Sequence, residues 1–446
     1  MRILLINASA LRLDDGRRWH ETRGKGAYAP TTLTTLAALV PAELDAEVML
    51  ADETVDQVPA DFGGADLVGV SAMTCDAQRA YQLADAVRSM KIPVVLGGYH
   101  PTFMPQEAGD HADAVVKGFA EVAWPQLLRD FARGSMRPLY EADWQDAFVS
   151  SLPVPRRDLL RRKAYAIANT LETCRGCVNA CSFCVVPPMH QRRCVQRHVD
   201  QIAADIESMP AGPVALLDAN PSENAEFAAN LFSALAQTGR KWFSCASVKC
   251  AADRQWVRMA HASGCRGLVI GFESLEAAAL ARAGKTFNDV KRYGQTCRML
   301  HDEGIAILGC FIFGFDGEDP SVFERTVEFV NKHHVDIVLY SVYTPFPGTD
   351  AWTKLNSQGR ILTTDWGLYD GRHVVFKPAG MAVEELQEGF YRAWIQTYGL
   401  RSILGRVIGA ATLPFVDLAV NLGFRRYRRT FLPPGAAERH AAPATR

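Results

Sequence analysis

The chain alternates short aliphatic runs with longer amphipathic stretches. Runs at 3–7, 47–51, 67–71, 94–97 and 114–117 are rich in Val, Ile and Leu without polar alternation, the pattern of parallel strands buried on both faces. Between them apolar residues recur at three- and four-residue spacing, as over 77–90, and predict helices. Strands and helices in turn predict a doubly wound domain, in which ligands bind beyond the carboxyl ends of the strands. The loops there are 71–76, 97–102 and 118–121, and Gly97-Gly98 lets backbone approach a bulky ligand with no Cβ in the way.

A second series follows. Strands are predicted at 166–172, 214–218, 242–247, 267–272, 306–313 and 336–343, with helices at 200–208, 225–237, 289–301 and 321–331. Six strand–helix repeats imply a parallel sheet with right-handed crossovers. They are too few for a closed eight-stranded barrel, so an open, partial (β/α)6 barrel is expected. The fold class is therefore α/β: a Rossmann-like domain over 1–136, a linker over 137–163, a partial barrel over 164–350, a helical extension over 351–432 and a tail over 433–446. The linker carries Pro153, Pro155 and a run of basic residues; the tail is small and polar, and is expected to be disordered. Within the extension, 402–424 is apolar but interrupted by Arg406, Pro414 and Asp417, and Arg425-Arg426-Tyr427-Arg428-Arg429 follows. Such a segment either packs on the barrel or lies on a membrane surface; Pro414 and Asp417 favour packing.

Composition changes this picture little. Of 446 residues 48% are hydrophobic and 22% charged, with net charge −1, ordinary for a soluble globular protein. No basic stripe interleaved with aromatics occurs in the body of the chain, so a nucleic-acid partner is not expected. The opening MRILLINASA lacks the apolar length and cleavage site of a signal peptide and reads as a buried strand. No uninterrupted apolar run is long enough for a membrane-spanning helix. Eleven cysteines in a reducing cytoplasm point to metal ligands or small buried hydrophobes rather than disulfides.

Their clustering is informative. Cys174, Cys177, Cys181 and Cys184 follow the first strand of the second series, on the barrel face that carries active-site groups. Zinc ribbons separate their two CxxC pairs by roughly 15–20 residues, which these pairs do not. A thioredoxin-like redox pair leaves two cysteines unexplained, and an iron–sulfur cluster fits a short thiolate-rich loop best. Cys177-x3-Cys181-x2-Cys184, with Phe183 before the last cysteine, resembles the radical S-adenosylmethionine (SAM) signature. The resemblance implies that these three thiolates bind three irons of a 4Fe–4S cluster and that SAM chelates the fourth, to be cleaved to a 5′-deoxyadenosyl radical. Cys174 then reads as a loop residue, because a fourth thiolate would block SAM. It also implies SAM contacts from Phe183, Asp218, Ser247, Lys249 and Glu273. Each polar residue ending a strand has an alternative reading as a helix cap.

The motifs at 28–30, 33–41, 70–74, 97–102 and 112–118 are similar to the cobalamin-binding domain of class B radical SAM proteins. Those at 314–316, 344–349, 359–360 and 365–366 continue the likeness, which covers nearly everything up to about Leu400. It implies cobalamin contacts from Ser71, Met73, Thr74, Gly97, Gly98, Tyr99, His100, Gly118 and Glu121. Two departures stand out. The Asp-x-His-x-x-Gly motif that supplies a histidine beneath cobalt is absent, so His100 has a second reading as a loop cap. Gly118-Phe119-Ala120-Glu121 replaces the family's common Gly-Glu-Ala-Glu. The resembled group contains hopanoid and tetrapyrrole methylases and an oxidative cyclase. It implies methylation of an unactivated carbon of a hydrophobic small molecule, through methylcobalamin and a 5′-deoxyadenosyl radical. The alternatives are a cyclase or ring-rearranging enzyme without methyl transfer, and a non-catalytic cobalamin or cluster sensor. The expected partners are that substrate and an external electron donor such as flavodoxin or ferredoxin. The expected location is the cytoplasm; the alternative to packing of the C-terminal segment is its peripheral contact with the inner face of the membrane.

Overall fold

The computed structural model describes residues 1–10, 26–142, 152–221, 224–410, 412 and 414–430; the tail expected from 433 lies outside them. The N-terminal strands are β1 (Arg2–Asn7), β2 (Gly26–Tyr28), β3 (Glu47–Asp52), β4 (Leu67–Ser71), β5 (Val94–Gly97), β6 (Ala114–Gly118) and β7 (Leu139–Ala142). All but β2 form one parallel sheet in the order β3-β1-β4-β5-β6-β7. Chain direction across the sheet reverses between β1 and β4, the switch point where open α/β sheets form a ligand crevice. The lack of polar alternation has a direct cause. Leu4 and Ile6 enter one buried cluster, while Ile3 and Leu5 enter another on the opposite face. Helix Ala77–Ser89 covers one side and helix Ala120–Ala132 the other.

Of the stretch read as a linker, 143–151 lie outside the described residues, and the parts on either side are packed. β7 extends the first sheet beyond residue 136, pairing Leu139 with Val115. Farther on, Arg157 is buried against Asp205 at 2.6 Å and donates to the Thr170 carbonyl. The edge strand escaped detection because only one of its two faces is covered: Tyr140 is buried, while Leu139 and Glu141 are exposed.

The second sheet begins differently from expectation. The single strand expected at 166–172 is two: β8 (Tyr165–Ile167), paired with β2, and β9 (Thr170–Leu171). Between them Asn169 turns its amide to the Pro210 carbonyl and accepts from Arg162. There follow a hairpin of β10 (Cys174–Gly176) and β11 (Cys194–Gln196), then β12 (Val214–Leu216), β13 (Trp242–Ala246), β14 (Cys265–Glu273), β15 (Ala306–Phe313) and β16 (Ile337–Val342). The parallel order is β16-β15-β14-β13-β12-β9, an open six-stranded wall. Its fully buried face packs on helices, with Ile270, Phe311, Phe313 and Tyr340 in the main cluster. The alternate positions, among them Phe243, Cys245, Leu308, Cys310, Ile312 and Leu339, are only half-buried and line the barrel interior.

The extension is helical, ending in helices Leu400–Ala410 and Pro414–Tyr427. The polar residues that interrupt its apolar run point inward. Arg406, fully buried, donates to the carbonyls of Val335 (2.9 Å), Asp336 (2.8 Å) and Thr397 (3.0 Å) and to Asn421 Oδ1 (2.8 Å). Buried Asp417 and Asp336 both accept from Thr412. Pro414 opens the second helix, where its missing N–H costs nothing. No helix among the described residues is long and apolar enough to cross a membrane.

Arg406→Ala would take a donor from the Val335 and Thr397 carbonyls, leave the Asp336 carbonyl only its bond from Asn421, and open a cavity. It is expected to destabilise the folded chain by about 3 kcal/mol or more, read as a lower denaturation midpoint, with Arg406→Lys recovering part of the loss.

Candidate cluster loop and cofactor cleft

A loop with three thiols in eight residues makes little regular structure of its own, so the surrounding chain must hold it. The structure supplies four holds. Asp218, at the carboxyl end of β12 and buried, accepts from the Thr173 amide (2.7 Å), the Thr173 hydroxyl (2.7 Å) and the Cys174 amide (2.8 Å). Burial pushes its carboxyl up to about 6, while those hydrogen bonds oppose the shift. Gly176 (φ +91°) lies so close to the Arg193 carbonyl that a Cβ would fall 2.0 Å from it, which closes the β10–β11 hairpin. Ser182 donates to the Ala283 carbonyl and accepts from the Ala351 amide, both at 2.9 Å. Gly284 (φ +74°) passes the Ala180 carbonyl with no room for a side chain.

Cys177, Cys181 and Cys184 are half-buried on this loop. Burial pushes the Cys181 thiol up to about 12 and Cys184 up to about 11; neighbouring cysteines raise both, and Lys285 lowers both. Thiols gathered so closely favour ionisation only when positive charge is brought among them, which an iron–sulfur cluster does. Among the described residues no three His, Cys, Asp or Glu side chains converge on one ion position. A cluster spreads its thiolates over separate irons and needs no such convergence. The Cys174 thiol faces Cys194 across the hairpin instead, and that contact together with burial raises it. Phe183 packs edge-on against Phe315 at 5.6 Å and near Tyr343.

Beside the loop, β14 ends in a bulge at Gly271-Phe272-Glu273, and Glu273 takes a left-handed conformation (φ +63°). Asn288 donates to the Gly271 and Phe272 carbonyls and Tyr293 donates to that of Phe272, fixing the distortion. The Glu273 carboxylate folds back over Gly271 onto Lys285. Burial alone would lower the Lys285 ammonium, but Glu273 and Cys181 outweigh it and hold it above its ordinary value. Lys285, Asn288 and Tyr293 were not legible beforehand; only the register shift in β14 explains why they matter. Ser247 caps helix Val248–Ala251 through the Cys250 amide, and Lys249 on that helix is exposed. Asp218 serves the cysteine loop.

Across from the barrel, a cleft of about 240 Å³ opens at the switch point of the first sheet. Ser71, Met73, Gly97, Gly98, Tyr99, Gly118 and Glu121 line it, as expected of a cofactor edge. Thr74 and His100 stand outside it. His100 is fully buried beneath the cleft, 5.2 Å from the Trp366 ring and 3.5 Å from Glu107, so its position is that of a packed loop residue. The inner wall adds Thr32, Leu36, Leu39 and Trp124 from two helices, and the barrel contributes Glu172, Arg175, Met189 and His190. A slot that runs between sheet and helices with Gly69 and Gly97 on its floor fits a flat or elongated organic group. Arg175 spans the domains, paired with Glu121 of the first and, at 2.8 Å, with Glu172 of the second. Burial and Arg175 lower His190 to about 4, so its ring is neutral.

Comparison with known proteins agrees with this layout. Residues 28–128 match the B12 binding domain and 171–330 the Radical SAM superfamily. The chain is 30% identical to the bacteriochlorophyllide d C-12(1)-methyltransferase of Chlorobaculum tepidum, over 91% of this chain and 90% of that one. It is 26% identical to the bacteriochlorophyllide d C-8(2)-methyltransferase of the same organism, over 82% and 84%. The fold is shared with the radical SAM methyltransferase TsrM of Kitasatospora setae, solved with cobalamin and a [4Fe–4S] cluster. There the TM-score is 0.64 at 16% identity, covering 96% of this chain and 99% of that one. With both domains matched and a methyltransferase relative aligned along nearly its whole length, the chain belongs to the cobalamin-dependent radical SAM methyltransferase family, whose cofactors are a 4Fe–4S cluster, SAM and cobalamin.

Proposed function

We propose that the enzyme methylates an unactivated carbon of a hydrophobic polycyclic substrate, of tetrapyrrole or prenyl-lipid type. The observation that carries the substrate class is the barrel interior. Its half-buried positions on β13, β15 and β16 are Phe243, Cys245, Leu308, Cys310, Ile312, Ile337, Leu339 and Ser341, with no charged side chain among them. Such a wall excludes water and offers an apolar ligand contact area without unpaired charge. The bacteriochlorophyllide relatives supply the precedent for a tetrapyrrole.

In this reading Cys177, Cys181 and Cys184 hold the cluster, and the cleft at 71–73, 97–99, 118 and 121 holds cobalamin. When bound, the cluster and SAM supply the radical that removes hydrogen, and cobalamin supplies the methyl group. The chain's own residues do the rest. Asp218 and Gly284 keep the thiol loop at the mouth of the barrel. Glu273, braced by Lys285, offers a carboxylate to the polar part of SAM, while Phe183 closes the apolar side. The Arg175–Glu121 pair keeps the cofactor cleft turned toward the barrel mouth, so that both cofactors reach one substrate carbon. No general base is assigned, because replacing a C–H bond by a C–CH3 bond through a radical needs none. An external donor such as flavodoxin or ferredoxin would reduce the cluster. The enzyme would work in the cytoplasm or against the inner membrane face, with the C-terminal segment making that contact.

Anaerobic incubation with SAM, a strong reductant and a panel of tetrapyrroles tests the reaction. Substrate-dependent formation of both S-adenosylhomocysteine and 5′-deoxyadenosine, with a product heavier by one methylene, is the expected result. 5′-Deoxyadenosine without the homocysteine product would reassign the chain to cyclisation or rearrangement. Alanine at Cys177, Cys181 or Cys184 should abolish the visible iron–sulfur absorbance, whereas Cys174→Ala should retain it; loss in that variant would overturn the ligand assignment. Glu273→Ala should keep the cluster and bind SAM about tenfold more weakly, the scale of one lost hydrogen bond to a charged group. Unchanged SAM affinity by equilibrium dialysis would remove Glu273 from the SAM site.

A further inference from the structure

The two last helices bury one face on the barrel and leave the other bare. Six of the thirteen exposed large hydrophobic residues among those described lie in this short segment: Leu400, Leu404, Ile408, Phe415, Val416 and Leu422. They are not scattered. Leu400, Leu404 and Ile408 repeat at four-residue spacing along one face of helix Leu400–Ala410. Phe415, the small Ala419 and Leu422 recur at four- and three-residue spacing along one face of helix Pro414–Tyr427. Ile408 is 76% exposed and Phe415 is 87% exposed, one near the end of the first helix and the other near the start of the second.

Charge tells what could cover this face. Residues 400–430 hold six arginines and a single acid, Asp417. Asp417 is buried, as are Arg406 and Arg428, which donate to backbone carbonyls. What remains outside is Arg401, Arg426 and Arg429, exposed, and Arg425, half-buried, with no exposed acid. Arg426 continues the stripe of Phe415, Ala419 and Leu422 toward the end of its helix. A second copy of this face would bring its arginines no acidic partner, because its single acid is buried. A surface of anionic headgroups over acyl chains complements both features.

We propose that the hairpin Leu400–Tyr427 docks the enzyme on an anionic phospholipid bilayer, with Ile408 and Phe415 entering the acyl boundary and Arg401, Arg426 and Arg429 among the headgroups. The inference rests on the membrane-adjacent location read above and names the surface that makes it. It is independent of the methyl transfer itself. An enzyme docked this way takes an apolar substrate from the bilayer rather than from water.

Flotation of the full-length, cluster-loaded protein with vesicles tests it. The expected result is flotation with phosphatidylglycerol–phosphatidylcholine vesicles at low salt, loss at high salt, and no flotation with phosphatidylcholine alone. Ile408→Glu with Phe415→Glu should abolish binding. Arg426→Gln with Arg429→Gln should lower the partition coefficient roughly 30-fold, at about 1 kcal/mol per basic residue near an anionic surface. Both double variants alter exposed positions and should still cleave SAM with a chemical reductant, so failure to float leaves the assigned chemistry untouched. Wild type that stays with the unbound fraction, binds neutral vesicles equally, or forms a dimer abolished by Ile408→Glu would overturn the proposal; the last outcome would give the face to a second copy.

Discussion

A thiol-rich loop has too few hydrogen bonds within itself to keep its sulfurs apart in a fixed arrangement, and the rest of this site depends on how that deficit is met. Asp218 meets the largest part of it. Its two oxygens accept three hydrogen bonds from Thr173 and Cys174 at the point where the chain leaves the sheet. Burying a carboxylate is costly unless it is so satisfied, and the same burial makes the anchor unforgiving of movement. Farther along, the Ala283 carbonyl and the Ala351 amide seize Ser182 from two different helices. The loop is thereby tied to β12, to the helix after β14 and to the start of the C-terminal extension. A cluster bound there would inherit its position from three separate parts of the barrel.

The same economy joins the two domains. Arg175 leaves the first strand of the β10–β11 hairpin and reaches Glu121 at the foot of a helix in the Rossmann-like domain, while Glu172 holds its other side. A cation with two carboxylate partners in a half-dry cleft is oriented far more strictly than a surface pair. Because Arg175 stands two residues before Cys177, the tie that orients the cofactor cleft and the chain that carries the thiols are one piece of backbone. Relative movement of the domains would therefore strain the thiol loop directly. The described residues before the barrel are tied down in the same way, with Arg157 buried on Asp205.

Most of the architecture was legible because the first sheet buries its strands on two faces and the second lines even its half-buried interior with mostly apolar residues, which leaves aliphatic runs along the chain. β1 feeds two opposite cores with alternate residues, and its sequence shows it. β7, covered on one face only, leaves no such mark, and the split between β8 and β9 depends on the amide of Asn169, a tertiary contact with no local signal. The cysteine loop was legible because its spacing is local. The cleft was legible only along its edge, where loop residues follow strands; its inner wall of Thr32, Leu36 and Trp124 comes from helices whose pattern is that of ordinary packing. His100 lies in the right loop but on its inner side, a distinction that a single residue's position in a helix of five decides.

The C-terminal hairpin shows why an interrupted apolar segment resists reading from its order alone. Arg406 and Asp417 look like breaks in hydrophobicity, yet both are interior residues: Arg406 donates to carbonyls just before β16 and at the end of helix Val383–Thr397, and Asp417 accepts from the Thr412 hydroxyl. Ile403 and Val407 are buried with Arg406, while Leu400, Leu404, Ile408, Phe415, Val416 and Leu422 are left outside. Polar residues share the inner face with hydrophobic ones, and burying the arginine there is tolerated because it finds four acceptors at hydrogen-bond distance. An aqueous surface gives no comparable return for the exposed Leu, Ile and Phe. The hairpin's anchorage to the barrel is thus complete without its outer face, and that face is free to serve contact beyond the molecule.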